Sequence, residues 1–283
     1  MTELALYEGP KYEILKRDLS QVKKIFETNV SMDGIDEFDL DRVSIPGSGA
    51  AHWSVPDLNG EPEAVKELEG VVILHGDRRA FWDVPYDESG GGSPPDCNSL
   101  DGRSGFGWRR GMAEGEQHQQ ACKPCPLSQW GSNSSDKEDN QQACSNRKLL
   151  FFLRQGDLIP LCVDLAPTSV KPFNRFMLRL AGRMLPAYGV VLGLKLIQEE
   201  SRTGIKYSVV SPRLIGPLSE EDSAGMEAMG DAMRPLFLKT GVETPNEEGY
   251  VSSRGGGSDN GAPAEDPAEA EAETAEAAYV PEA

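Results

Sequence analysis

The hydrophobic and polar positions along the chain predict many short strands and few helices. Apolar residues recur at helical spacing over 11–28, 168–185 and 219–238, which predicts three helices. Alternating or short apolar runs predict strands at 38–45, 70–85, 148–153, 158–165, 188–198 and 207–215. One helix between strand pairs fits a mainly β, α+β fold better than a parallel α/β sheet, and we predict an oligonucleotide-binding (OB)-like small barrel.

Residues 87–146 interrupt this pattern. They are rich in Gly, Ser, Asp and Asn and hold very few aliphatic side chains, so they cannot form a hydrophobic core without help. We therefore predict four parts: an N-terminal helical arm at 1–34, an OB-like core at 35–216 with an insertion at about 87–146, a C-terminal helix at 217–240, and a tail at 241–283.

The tail is rich in Glu, Ala, Pro and Gly and poor in large apolar residues. Residues 243–283 hold eleven acidic residues against Arg254 alone. Such a segment cannot bury enough surface to offset the entropy of ordering it, which predicts a disordered acidic tail. One interpretation is a merely solvating tail. The other is an interaction tail that competes with nucleic acid and recruits partners, favoured by the apolar tip at 279–281.

The formal net charge of -18 conceals a basic centre. Residues 144–216 hold eleven Lys and Arg against four Asp and Glu, whereas residues 1–143 hold fourteen against twenty-six. The basic centre favours contact with nucleic acid. The acidic first half is the best argument for a protein partner instead.

Four of the five cysteines lie in the insertion, at Cys97, Cys122, Cys125 and Cys144. Cys122 and Cys125 form a C-x-x-C pair whose thiolates can both reach one metal ion, and the other two are the only further cysteines nearby. Metal binding would supply the ordering energy that a hydrophobic core cannot supply here. We predict a structural Zn²⁺ site of four cysteines.

Other interpretations of these side chains stay open. His118 is the best substitute ligand, and the C-x-x-C pair could be a redox motif, although no βαβ pattern surrounds it. Cys162 lies in an apolar strand and is predicted to be a core residue. Four thiolate ligands leave no open position, so a catalytic zinc is not expected.

Basic residues recur every four positions along the helix predicted at 168–185: Lys171, Arg175, Arg179 and Arg183. Like charges at this spacing oppose helix stability by about 0.2–0.5 kcal/mol per pair, so stability does not explain them. A solvated helix face is the alternative to a phosphate-binding ridge. We predict that Lys171, Arg175 and Arg179 contact phosphate.

Aromatic residues also stand beside basic ones at several places. Bases that stack on aromatic rings in a positive groove hold single strands without sequence readout, although strand aromatics are also ordinary core residues. Trp108, in a Gly-rich loop, is the one least expected in a core. The further predicted nucleic-acid contacts are Arg78, Arg79, Trp82, Trp108, Arg109, Arg110, Arg147, Lys148, Phe152 and Arg154.

The chain lacks the motifs of common enzyme classes, including a P-loop, a nucleophile elbow, H-E-x-x-H and a dinucleotide fingerprint. We therefore expect no enzyme. Apolar runs are too short to cross a bilayer and the N-terminus shows no signal pattern, which predicts a cytoplasmic protein with no membrane partner.

Several blocks of the chain resemble a family of phage and mobile-element single-stranded-DNA-binding proteins. The blocks are PDCNSLDG, CKPCPLSQWGS, ACSNRKLLFFLR and LAPTSVKPFNRF, preceded by FDLDRVSIP and EGVVILHGDRRAFW. The resemblance spans about residues 35–215. It implies an OB-fold core with a zinc-bearing insertion and supports the four cysteines as ligands. The organisation, with its acidic C-terminal tail, is also similar to that of T-even phage single-strand binders.

The sequence therefore predicts a non-enzymatic single-stranded-DNA-binding protein of replication or recombination, in a bacterial or phage-infected cytoplasm. The acidic tail would modulate binding and recruit replication or recombination proteins, and self-association into a homo-oligomer is left open. The first alternative is a zinc-containing adaptor or structural protein that binds other proteins. The second is a metal-dependent nuclease.

Overall fold

The computed structural model describes residues 8–9, 24–25, 28–30, 35–46, 49–84, 94–113, 115–133, 141–201, 204, 206–242 and 250–251. Most of the predicted arm at 1–34 lies outside them, although 24–25 and 28–29 are helical. The tail predicted at 241–283 also lies outside them, apart from 241–242 and 250–251. All described residues fall in one compact unit, Met1–Ser253.

The described part of the chain holds twelve strands and two long helices, so it is mainly β, and an α+β fold. The strands are β1 (Arg42–Ser44), β2 (Trp53–Pro56), β3 (Pro62–Val65), β4 (Glu67–Phe81), β5 (Cys97–Ser99), β6 (Ser104–Gly107), β7 (His118–Ala121), β8 (Ser145–Arg154), β9 (Leu161–Leu165), β10 (Val190–Glu200), β11 (Lys206–Pro217) and β12 (Tyr250–Val251). The helices are α1 (Pro167–Ala181) and α2 (Glu220–Lys239). Short 3-10 helices lie at Pro126–Ser128 and Ala187–Gly189.

Ten strands form one mixed sheet around β4. The sheet runs in the order β12-β1-β9-β8-β4-β5-β6-β7, with β10 also paired to β4 and β11 paired to β10. β1 and β9 are parallel, and the other pairs are antiparallel. The residues 67–70 of β4 pair with β10, and 79–81 pair with β5. Because two strand sets share β4, the sheet branches there, and the described strands do not close into the predicted barrel.

Helices cover both faces of this sheet. On β8, Leu150 packs in a core with Phe173 of α1, whereas Phe151 packs in a second core with Phe237 of α2. The rings of Phe151 and Phe237 meet edge to face, with centroids 4.9 Å apart. Because both faces are covered, β8 is apolar on every side, which explains the continuous run KLLFFL in the sequence.

The helix predicted at 219–238 is confirmed as α2, and its start follows the expected chemistry. The Ser219 hydroxyl accepts a hydrogen bond from the backbone N–H of Asp222 at 3.1 Å, and three acidic residues occupy the first turn. The helix predicted at 168–185 is α1, which is shorter and starts at Pro167 without a side-chain cap.

The hairpin of β2 and β3 is an element that the sequence analysis missed. Its turn is built on Asp57, whose Oδ1 accepts hydrogen bonds from the backbone N–H groups of Asn59 and Glu61. Gly60 follows with φ of 81°. Asn-Gly between strand-like segments is a strong hairpin signal, so residues 59–60 could have revealed it. The buried Trp53 anchors the hairpin, because its indole N–H donates to the carbonyl of Leu194 at 2.8 Å.

Arg78, predicted to contact DNA, is instead a core residue with 1% of its surface exposed. Its guanidinium donates to the carbonyls of Thr240 at 3.0 Å and Phe237 at 2.7 Å, and it lies 4.5 Å from the centre of the Phe237 ring. These carbonyls belong to the C-terminal end of α2, where a cation is favourable. Arg78 therefore joins α2 to β4.

Replacing Arg78 with Met should lower the free energy of unfolding by about 3 kcal/mol, because the substitution leaves the carbonyls at the end of α2 without their charged donor. Urea unfolding measures the loss. The neighbouring substitution Arg79→Met is the matched control, with an expected change within about 0.5 kcal/mol. Equal losses in the two variants would contradict this role for Arg78.

Candidate nucleic-acid interface and cysteine cluster

Backbone hydrogen bonds bring the four insertion cysteines into one neighbourhood. Cys97 lies on β5, and Cys122 and Cys125 lie in the turn after β7, where the N–H of Cys125 donates to the carbonyl of Cys122 at 3.2 Å. The N–H of Cys144 donates to the carbonyl of Leu127 at 2.8 Å, so the start of β8 is tied to the same turn. These bonds tie Cys122, Cys125 and Cys144 to one turn, and the role of the four cysteines as zinc ligands stays a prediction.

Gly105 lies close to two of the sulfur atoms. A Cβ added to Gly105 would lie 3.2 Å from the Cys97 sulfur, which is tight, and 3.5 Å from the Cys122 sulfur, which is ordinary contact. Cys144 is buried in a small core with Phe81 and Leu127. This core is the only hydrophobic cluster that the described part of the insertion makes with the sheet.

Burial raises the pKa of two thiols of this cluster, those of Cys97 and Cys144. It raises the pKa of Cys144 to about 12; the nearby Arg79 guanidinium opposes the rise, and the other three cysteines add to it. Within the described residues, no three His, Cys, Asp or Glu side chains form a group that could hold a metal ion.

The other two side chains considered with the cluster lie elsewhere. His118 is on β7 and exposed, and its Nε2 lies 2.5 Å from a carboxylate oxygen of Glu116. Cys162 is buried beneath α2 in the sheet core, which confirms the prediction for that residue. The cysteine cluster is thus made of the four insertion residues alone.

The basic ridge on α1 is exposed. Lys171, Arg175 and Arg179 project from the helix face opposite the buried Val170, Phe173, Phe176 and Leu180. None of the three forms an ion pair with an acidic residue of the described chain. Arg183, just after the helix, is exposed as well. The predicted side of the helix is therefore open to solvent and to a ligand.

Several other predicted contacts are engaged inside the protein. Phe152 is fully buried between β4 and α1, so this prediction is wrong, as it is for Arg78. The guanidinium of Arg147 donates to both carboxylate oxygens of Asp164, at 3.0 and 2.9 Å. The buried Lys148 pairs with Asp77 at 2.8 Å.

Four more of the predicted contacts are partly buried or paired within the protein. Arg154 pairs with Asp157 at 2.8 Å. Arg110 binds Asp83 and lies over the Phe81 ring. Trp108 is half-buried against the cysteine cluster, and its indole N–H donates to the carbonyl of Ala113, so the expectation that it would avoid a core is wrong. Trp82 is half-buried too.

Arg79 and Arg109 are the predicted contacts whose guanidinium groups could still bind a phosphate. Both are half-buried without an ion pair in the described residues, and each has one buried guanidinium nitrogen without a hydrogen-bond partner. Arg79 opens into a cleft beside the cysteine cluster. Three further residues of this cleft were missed: Arg103, Lys123 and Trp130. The signal that could have found Trp130 is its position in a wholly polar stretch, Ser128 to Ser132, where no core can form around it.

Comparisons with known protein families, with curated proteins and with solved structures gave no match. The family resemblance therefore stays a hypothesis that rests on the sequence blocks alone. No described helix is both long and apolar enough to span a membrane.

Replacing Arg175 with Glu should raise the free energy of unfolding by about 0.5 kcal/mol. The substitution exchanges repulsion for attraction with Lys171 and Arg179, one turn away on either side. Urea unfolding measures the gain, and Arg175→Gln should give a smaller one. A loss of stability in both variants would show that Arg175 makes a stabilising contact and would contradict an unpartnered ridge.

Proposed function

We propose that this protein binds single-stranded DNA and is not an enzyme. The observation that supports this best is the ridge of Lys171, Arg175 and Arg179. These cations stand four residues apart, about 6 Å along the helix axis, on an exposed surface. The ridge weakens the helix and is neutralised by no described acidic residue, so a phosphate backbone is the partner that its charge best matches.

A single strand suits this surface better than a duplex. Exposed aromatic rings bind bases by stacking, which requires bases that are not paired in a double helix. Trp130 offers such a ring, with 72% of its surface exposed. Trp82, directly after β4, is half-buried. Phosphate contacts would hold the strand, and stacking would select its single-stranded form.

We also propose the finer parts of the fold prediction. The core would be related to the OB folds, which are themselves only partly open barrels. The acidic tail would compete with DNA for the basic surface and recruit replication or recombination proteins, in the cytoplasm of a bacterium or of a phage-infected host. Self-association is left to experiment.

Zinc completes the proposal. Cys97, Cys122, Cys125 and Cys144 offer four sulfur donors and no competing donor, the set that a tetrahedral structural zinc takes. The buried small core around them lacks enough apolar contacts to order the insertion by itself. A zinc ion would draw the sulfurs together as thiolates and supply that ordering energy. Its role would be to shape the loop that carries Lys123 and Trp130.

The triple substitution K171Q/R175Q/R179Q should weaken binding of a ~30-nucleotide single strand at least tenfold at about 0.1 M salt, because three phosphate contacts are lost. The slope of log K against log salt should become shallower by about 2, at ~0.7 per contact. Fluorescence anisotropy across a salt series measures both quantities. A chain ending at Ser253, which keeps β12, should bind more tightly than the full chain.

The matched control is K66Q/R234Q/K239Q, which removes the same charge from exposed positions elsewhere. Its slope should stay close to that of the unchanged protein. Equal effects of the two triple variants would mean that the binding depends on the overall charge of the protein, which would contradict a specific role for the ridge. No binding by the unchanged protein at low salt would refute the proposal and favour a protein-binding adaptor, and metal-dependent cleavage of the strand would identify a nuclease.

The zinc proposal predicts one zinc ion per chain, measured by elemental analysis after purification under reducing conditions. Cys144→Ala should lose the metal, because three thiolates hold zinc more weakly than four. Cys162→Ala, a buried cysteine outside the cluster, is the control that should keep it. A chelator should lower the melting temperature of the unchanged protein. Metal-free protein with an unchanged melting temperature in the presence of added zinc would contradict the proposal.

A further inference from the structure

A cleft of about 560 Å³ opens beside the cysteine cluster. The side chains that carry its chemistry are Arg79, Arg103, Lys123 and Trp130, and its floor includes Ser128 and Gln129. The volume falls within the range of roughly 300–1,000 Å³ that small-molecule sites occupy. The size alone therefore suits a ligand as large as one nucleotide.

The lining of the cleft is positive. Arg79, Arg103 and Lys123 are three cations, and no residue of the lining is acidic. None of the three forms an ion pair within the described chain. One nitrogen of the Arg79 guanidinium is also buried without a hydrogen-bond partner. A buried donor without a partner is costly, so an anionic ligand oxygen would stabilise it.

The nearest acidic residues are occupied by other contacts. Asp101 Oδ1 accepts hydrogen bonds from the backbone N–H groups of Arg103 and Ser104, both at 2.7 Å. Asp77, next to Gly102, is paired with the Lys148 ammonium. Asp77 is thus balanced by Lys148, whereas Asp101 also attracts Arg103 and offsets part of the positive charge of the cleft. Three cations against this one carboxylate leave the cleft with a net positive charge for a ligand.

The polar groups at the floor hold the turn in place. The Ser128 hydroxyl lies 2.5 Å from the carbonyl oxygen of Cys122, and the Gln129 amide donates to the carbonyl of Lys123 at 2.9 Å. The Gln142 amide donates to the carbonyl of Ser128 at 2.6 Å. Because these hydrogen bonds hold the turn in place, the cleft is already formed before a ligand binds. The three cations and the Trp130 ring are then the groups that can contact a ligand.

The cleft opens on the same face of the sheet as α1. Beyond the β-bulge at Val72–Leu74, the odd-numbered residues of β4 point toward α1, and the His75 ring meets Phe173 of α1 with centroids 6.1 Å apart. Arg79 is four residues further along β4 and so lies on the same face. A strand bound along the α1 ridge is therefore on the side of the molecule where the cleft opens.

We propose that this cleft binds one nucleotide unit of the single strand, with its phosphate against Arg79, Arg103 and Lys123 and its base stacked on Trp130. The inference rests on the proposed function, because it takes the nucleotide from a bound strand. A free nucleoside monophosphate has the same chemistry and is the other possible source. The cleft would give the protein a fixed point on the strand, in addition to the general attraction of the ridge.

The test uses full-length protein labelled with ¹⁵N. The indole N–H signal of Trp130 is assigned by its absence in Trp130→Phe, and its shift is followed while 5′-phosphorylated trithymidylate or thymidine monophosphate is added. Trithymidylate should give a saturable shift. R103Q/K123Q should weaken this binding at least tenfold, as expected when two charge-assisted contacts are lost. K66Q/K239Q, which removes two exposed charges elsewhere, should leave it unchanged.

Replacing Trp130 separates stacking from charge. By intrinsic tryptophan fluorescence or calorimetry, Trp130→Ala should weaken trithymidylate at least tenfold, whereas Trp130→Phe should restore most of the affinity, because a phenyl ring still stacks. The exposed Phe38 gives the control Phe38→Ala, which should have no effect. Equal affinity of Trp130→Ala and the unchanged protein would overturn the stacking role.

The outcomes distinguish this inference from the proposed function. No shift of the Trp130 signal by trithymidylate, in protein that binds the ~30-nucleotide strand by anisotropy, would overturn the cleft and leave the function standing. Monophosphate that binds as tightly as trithymidylate, in protein that does not bind the long strand, would make the cleft a free-nucleotide site and overturn the single-strand function. Tighter binding of trithymidylate than of monophosphate supports both.

Discussion

The pairing of β4 with β8 is the interaction on which the rest of the structure depends. The two strands are in register over ten residue pairs, from Gly70–Arg154 to Ala80–Ser145. All other sheet strands join the sheet through one of them, directly or through a neighbour. The other edge of β4 is divided between β10 and the insertion strand β5, so one strand carries both the core of the domain and the base of the cysteine cluster.

This arrangement gives the two faces of the sheet different characters. On one face, the buried Arg78 and the packing of Phe237 against Phe151 hold α2 against the sheet. On the other face, α1 buries its apolar side and leaves the row of Lys171, Arg175 and Arg179 without counter-ions in the described chain. The cleft with Arg79 and Trp130 opens on this second face. Function is therefore proposed for the face where positive charge is left unneutralised.

The positions of most strands and helices could be predicted from the sequence, but the face of the sheet on which each side chain lies could not. Apolar periodicity identified β8, β9, β10, β11 and α2, because each of these segments has a clear run of core-facing apolar residues. The basic residues beside aromatic ones placed Arg78 and Arg79 together in the interface, yet one is buried and the other lines the cleft. Neighbouring residues of a strand point to opposite faces, so the two could not share one surface. The β-bulge at Val72–Leu74 decides which of them faces α1, because even positions face α1 before it and α2 after it. A hydrophobic pattern does not show where a bulge lies.

Other differences have equally local causes. Phe152 looked like a stacking residue beside basic ones, but helices on both faces bury every side chain in the middle of β8. Arg147 and Lys148 found partners on neighbouring strands, Asp164 and Asp77, which sequence proximity cannot reveal. The four insertion cysteines lie in one part of the structure, and their role as zinc ligands stays a prediction. The open arrangement of the described strands could not be predicted, because closure of a barrel depends on which strands share an edge.

Hydrogen–deuterium exchange with and without a saturating ~30-nucleotide single strand tests the central claim most directly, because it reports on each face of the molecule in one experiment. The account predicts slower exchange at α1 and at the turn around Cys122 to Trp130, with α2 unchanged. Protection confined to α2, or none anywhere while the strand is shown to be bound, would contradict a nucleic-acid interface on the α1 face.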